Sequence, residues 1–226
     1  MLPVSLTYDD LLRLIRVCAG VALFVTVGIL IVRWGELQVA PMKVLSQTAL
    51  TAIGVPPILL LPFSRMNWTR PWLAWLLGRR MVHGLWWGEL ITDFKSGDDF
   101  KSMDPIPIAF VIKQTYFFLT IQSYTATQPA HSTLEALAVE PRSARAQLRY
   151  VFEMQRLHFG EDKITIGHGD LRLTSRDSRL EGHYWTNSPT RGQISLELIT
   201  RDCAGVDSFA DAQRIASRHT TLVEAT

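Results

Sequence analysis

The chain has 226 residues, a formal net charge of +2 and only 19% charged residues. So even a balance gives no basic surface for bulk binding of DNA or RNA. The two cysteines, Cys18 and Cys203, lie far apart and lack metal-ligand spacing, which disfavours a disulfide framework or a metal centre and fits free thiols in the cytosol. Mean hydropathy is +0.11, and the apolar excess is concentrated before about residue 80.

No charge interrupts Val17 to Val32, and Leu11, Leu12, Leu14 and Ile15 extend that run toward the N-terminus. Arg16 and Arg33 flank it. A second uncharged run, Val44 to Ser64, lies between Lys43 and Arg65. About 20 helical residues cross roughly 30 Å of hydrocarbon, so both runs read as transmembrane helices, at about 11–33 and 44–64. The length of the first run and the closeness of the second argue against a cleaved signal peptide. The short connection Trp34–Met42 makes the pair an antiparallel hairpin. Arg13 and Arg16 before it, and Arg65, Arg70, Arg79 and Arg80 after it, place both termini in the cytosol by the positive-inside rule. That orientation fits a multi-pass membrane protein. Gly54, Pro56 and Pro57 interrupt the second helix, as a simple kink or as a point of repacking.

Residues 65–80 form a basic, aromatic linker. Trp68, Trp72 and Trp75 with Arg79 and Arg80 read as an interfacial segment at the headgroups. From 81 to 204 the pattern changes to short β-branched and aromatic runs between turn residues. Nine strands are predicted: His83–Phe94, Ile106–Gln114, Tyr116–Ala126, Ser132–Val139, Gln147–Arg156, Lys163–Ile166, Gly169–Thr174, Leu180–Thr186 and Gln193–Thr200. Leu148, Tyr150, Phe152 and Met154 alternate with polar residues, as do Ile194, Leu196 and Leu198. The expectation is a closed antiparallel barrel of about eight strands, since closure removes exposed edges. Residues 205–226 form a tail. Within it Ser208 caps a short helix whose face Phe209, Ala212, Ile215 and Ala216 closes one barrel end.

No phosphate-binding loop, serine elbow or zinc motif is present, so the composition favours a binding module over an enzyme and calls for no cofactor. His168-Gly169-Asp170 reads as a turn with a surface histidine. A barrel of this size holds one small ligand. Candidate lining residues by strand membership are Trp86, Lys113, Tyr116, Tyr124, Tyr150, Arg172, Tyr184 and Arg191. Their rings suit stacking on bases and their cations suit phosphates, although the rings suit a plain core equally well.

The order of parts resembles a known family. Two N-terminal helices precede Gly84-Leu85-Trp86-Trp87-Gly88, then His168-Gly169-Asp170, Gly182-His183-Tyr184-Trp185 and a last strand opening Gly192-Gln193-Ile194. This is similar to the two-transmembrane, β-strand-rich effectors of bacterial cyclic-oligonucleotide (CBASS-type) antiphage signalling, in which Gly84, Trp86 and Gly88 would be the barrel-opening motif. The resemblance implies a lipocalin-like cytosolic barrel that binds a cyclic dinucleotide made by a partner nucleotidyltransferase. It also implies that binding drives homo-oligomerisation of the helices and disruption of the membrane. A related arrangement inverts the logic, with the nucleotide holding the effector inactive. A lipid-handling barrel and a membrane-anchored enzyme are the competing readings.

Overall fold

The computed structural model describes residues 5, 7–66, 78–93, 104–140, 145–156, 163–174, 177–188 and 190–224. The chain divides into two compact units, one of residues 7–66 and one of residues 1–6 with 67–226. Trp68, Trp72 and Trp75 of the expected membrane collar lie outside the described residues, as does the turn at Ser96-Gly97-Asp98.

The first unit is helical: α1 Tyr8–Val32, α2 Trp34–Val39 and α3 Pro41–Arg65. Helix α1 starts at a capping box. Thr7 Oγ1 accepts from the Asp10 amide at 3.3 Å, and Asp10 Oδ2 accepts from the Thr7 amide at 3.2 Å. At 25 residues each, α1 and α3 reach roughly 37 Å, more than a hydrocarbon core needs. Both are long and apolar enough to cross a bilayer. Phe24, Val32, Leu50 and Ile53 stand largely exposed, which water would penalise and lipid would not. The hydroxyls of Thr26, Thr48 and Thr51 donate to carbonyls four residues back, so they present no unmet polar group. The expected loop at 34–42 is mostly the one-turn helix α2, whose preceding Arg33 bonds Glu36 and reaches Gln47 Oε1 of α3 at 2.7 Å. Helix α3 runs through Gly54, Pro56 and Pro57 as one element.

The second unit is a closed antiparallel barrel of eight strands in sequence order: β1 Gly84–Thr92, β2 Ile106–Gln114, β3 Leu119–Thr125, β4 Pro129–Val139, β5 Ala146–Arg156, β6 Lys163–Thr174, β7 Arg179–Thr186 and β8 Arg191–Thr200. Eight strands, not nine, close it. The expected break at Gly167-His168 and the expected turn at His168-Gly169-Asp170 are continuous strand β6, paired with both β5 and β7. Those glycines fill inward positions where neighbouring aromatic rings leave no room for a side chain. The interior is a core of alternate residues, among them Phe110, Ile112, Leu148, Leu171, Leu180 and Leu196.

The barrel end at which the chain enters β1 is closed. Trp86 is fully buried there, its Nε1 donating to Val82 O at 2.8 Å and its ring capped by the Arg201 guanidinium at 5.7 Å. Arg201 also donates to Met81 O at 3.2 Å, His83 O at 2.7 Å and Asp177 O at 3.0 Å. Gln114 accepts from the Val82 and His83 amides and donates to Arg80 O. These bonds satisfy the carbonyls and amides of a segment that leaves no strand partner. Gly84 needs its glycine: φ is +136°, and a Cβ would fall 2.5 Å from Thr200 O.

Arg79 belongs to this end too, not to a headgroup collar. It is 5% exposed, bonds Tyr116 O, and donates to Ser5 O at 2.7 Å. Arg80 approaches Asp177 at 3.4 Å. The C-terminal helix α4, Phe209–Glu224, begins with Ser208 accepting from the Asp211 amide at 3.2 Å. It does not plug a barrel end as expected. Its Ala212 and Ile215 pack with Leu85, Ala109, Val111 and Cys203 on the outer wall, because β1 and β2 are apolar on both faces and the outer one needs cover.

Candidate ligand-binding site

Opposite the closed end the described residues of the barrel line a cavity of about 270 Å³. Strands β1, β3, β5 and β7 run toward this mouth, and Thr92, Thr125, Met154 and Thr186 near their ends line it. Deeper in, four aromatic residues contribute: Phe110, Tyr150, Phe152 and Tyr184. Phe110 meets Tyr150 edge-on with centroids 5.7 Å apart, and Tyr150 lies 5.9 Å from Phe152. Hydroxyls of Thr127 and Thr190 and the amide of Gln128 add polar groups in the loops at the mouth, and the Ser123 hydroxyl adds one at the level of Phe110. None of the described lining side chains is charged.

The space exists because of glycines. A Cβ on Gly169 would fall 2.3 Å from the Tyr150 ring, one on Gly167 2.2 Å from Phe152, and one on Gly192 2.7 Å from Tyr184. Each is the cross-strand partner of the ring it accommodates. The rings thus rest on the wall instead of filling the lumen. Burial pushes the Tyr150 and Tyr184 phenols above the usual range, so both stay protonated and can donate or accept.

Of the eight residues singled out from the sequence, only Tyr150 and Tyr184 line this cavity. Trp86 is inside the barrel but plugs the closed end. Tyr116 is buried beside Arg79, whose guanidinium lies 5.9 Å from its ring. Tyr124 packs in the outer cluster with α4, and its hydroxyl bonds Gln122 at 3.1 Å. Lys113, Arg172 and Arg191 occupy outward positions, alternate with Ile112, Leu171 and Gly192. Arg191 pairs with Asp93 at 2.8 Å and holds that carboxyl below its usual range, chiefly through hydrogen bonds. Arg172 lies in an outer groove of about 670 Å³, whose mixed charges include Asp170, bridged to Arg149 at 3.6 Å, and Glu181, bridged to Arg179 at 2.7 Å. The geometry therefore does not gather those cations about the lumen.

Sequence reading missed Phe110, Phe152 and the hydroxyl wall. The available signal was parity: Phe152 shares the alternation of Tyr150. Among the described residues no group of three or more His, Cys, Asp or Glu side chains could hold a metal ion. The buried Cys203 thiol lies 3.9 Å from His83 Nε2, in the outer cluster and away from the cavity. No protein-family model matches the chain, and no curated protein sequence does.

Proposed function

We propose that the barrel is the sensor of a membrane-anchored effector, one that takes a cyclic dinucleotide base-first, and that ligand occupancy controls association of the helical hairpins in a bacterial inner membrane. One observation carries this reading: a cavity whose described lining is uncharged, with an aromatic interior and a hydroxyl wall, in a chain with two bilayer-length helices. Stacking on aromatic side chains is worth about 1–3 kcal/mol per base and tolerates any base. A cavity near 270 Å³ lies just under the usual range of about 300–1,000 Å³ for ligand pockets. Only the head of a nucleotide fits, and its phosphates stay at or beyond the rim, where no desolvation of anions is required. The barrel does no chemistry on the ligand. A partner nucleotidyltransferase would supply it, and hairpin association would disrupt the membrane of an infected cell.

The test uses the full chain in lipid nanodiscs, titrated calorimetrically with cyclic di- and trinucleotides, beside leakage from dye-loaded vesicles bearing the protein. The expected result is saturable binding of at least one cyclic nucleotide, recovered intact, and a change in leakage with occupancy. A rise in leakage marks an activating ligand and a fall an inhibiting one. Absence of binding across the panel overturns the reading. The uncharged lining also favours a second occupant, a small apolar or lipid molecule. Lipid extracted stoichiometrically with the protein, and displaced by no nucleotide, would establish that instead.

A further inference from the structure

The barrel wall is weakest between β3 and β4. The other seven seams have seven to ten paired residues each. Here only Gln122, Ser123 and Tyr124 pair, with His131, Ala130 and Pro129. Beyond them a bulge between Ser132 and Leu134 turns β4 away, and one hydroxyl takes over from the ladder. Ser132 Oγ accepts from the Ile121 amide at 2.8 Å and lies 3.0 Å from Ile121 O. It also bonds Glu135 Oε1. Glu135 faces inward and is 4% exposed, with Oε2 buried and without a partner.

A serine hydroxyl has one hydrogen and two lone pairs. If Glu135 is ionised, that hydrogen goes to the carboxylate, Ile121 O loses its donor, and a buried charge keeps one oxygen bare. If Glu135 is protonated, Oε1–H donates to Ser132 Oγ, Ser132 O–H donates to Ile121 O, and Ile121 N–H donates to Ser132 Oγ. Every group is then matched except one neutral carbonyl oxygen, a far smaller penalty than a bare carboxylate. The inward titratable group opposite on β5 is Tyr150, itself neutral, and the inward residues on β3 are Leu119, Ile121 and Ser123. None of these offers Glu135 a counter-charge. Burial also pushes its carboxyl above the usual range, against the smaller opposing pull of the Ser132 bond.

We propose that Glu135 is a neutral carboxylic acid that latches the β3–β4 seam through Ser132, and that its ionisation opens the barrel wall beside the cavity. With the latch open, three ladder pairs hold the two strands that carry Ser123, Thr125 and Ala130 of the lining. A lumen just under ligand size thereby widens on the side where the wall is thinnest. This does not depend on which ligand the cavity takes.

The test compares the full chain in detergent with Glu135→Gln, whose amide can donate to Ser132 as the acid does, and with Ser132→Ala. The wild-type infrared spectrum minus that of Glu135→Gln should show one protonated-carboxyl band, titrating with a midpoint above the ordinary 4.5. Amide exchange of Ile121 should match in the two proteins at low pH. Above the midpoint it should be faster in the wild type by about tenfold for each unit of pKa elevation. Ser132→Ala should exchange fast at every pH. A band that titrates at or below 4.5, or identical Ile121 exchange in wild type and Glu135→Gln at every pH, overturns the proposal.

Discussion

The two ends of the barrel are built on opposite plans. At the closed end long side chains bind the backbone: Gln114 serves three backbone groups, Arg201 three carbonyls, and Trp86 is buried under Arg201 with its Nε1 bonded to Val82 O. At the mouth the hydroxyls of Thr125, Thr186 and Thr190 bond within their own turns while lining the cavity, and glycines keep aromatic rings against the wall. The same eight strands thus carry rigidity at one end and recognition at the other. A strand's two termini can evolve under different demands without exchanging faces.

Substitutions should separate the ends. Trp86→Ala should cost about 3–5 kcal/mol in denaturant unfolding by removing a fully buried side chain, and any loss of ligand affinity should follow the loss of folded protein. Arg201→Ala should cost about 3 kcal/mol or less, since it strips three carbonyls of a donor that water can partly replace. Gly169→Ala acts at the other end. It should drive the Tyr150 ring into the lumen, cost about 1–3 kcal/mol, and weaken ligand binding at least tenfold by calorimetry. Such a binding loss from Arg201→Ala, in protein that remains folded, would dissolve the division.

Titration of His83 probes the closed end. Burial and then the Arg201 charge hold His83 below its ordinary 6.5, so the folded state resists protonating it while the unfolded chain does not. Stability from this group is therefore present above 6.5 and is lost as pH falls through that value toward the lowered one. Chemical unfolding of His83→Gln should lack that component of the slope. The smallest effect belongs to the mouth. Ser123→Ala should change stability by no more than about 0.5 kcal/mol, yet lower affinity for a hydrogen-bonding ligand by up to about tenfold.

Much of the barrel was legible because strand periodicity is a local property. The boundaries of β2 and the alternation of β5 and β8 follow from their residues alone. The break expected in β6 shows the limit of reading glycine as punctuation. Gly167 and Gly169 are there for Phe152 and Tyr150, and that requirement sits on another strand. The cavity was less legible. Arg172 between Leu171 and Leu173, and Arg191 out of phase with Ile194, already had outward parity. Choosing them for their charge ignored the rule that had located their strands. Lys113 and Tyr124 were harder, since β2 carries buried side chains on both faces where α4 covers the outer one, and Tyr124 packs against that same outer cluster.

The stitch at Ser5 changes what counts as a domain boundary. Its amide donates to Phe117 O at 2.9 Å, and Arg79 clasps its carbonyl, so a residue preceding α1 fastens onto the β2–β3 turn of a barrel that begins nearly eighty positions later. Cutting the chain after the hairpin would remove this piece along with the helices. A shortened protein starting at Met81 would lack both halves of the clasp and leave Tyr116 and Phe117 without their cover. The folding unit is discontinuous in sequence, with the helical hairpin as an insertion within it, and an excised barrel will represent the whole only if those first residues are supplied with it.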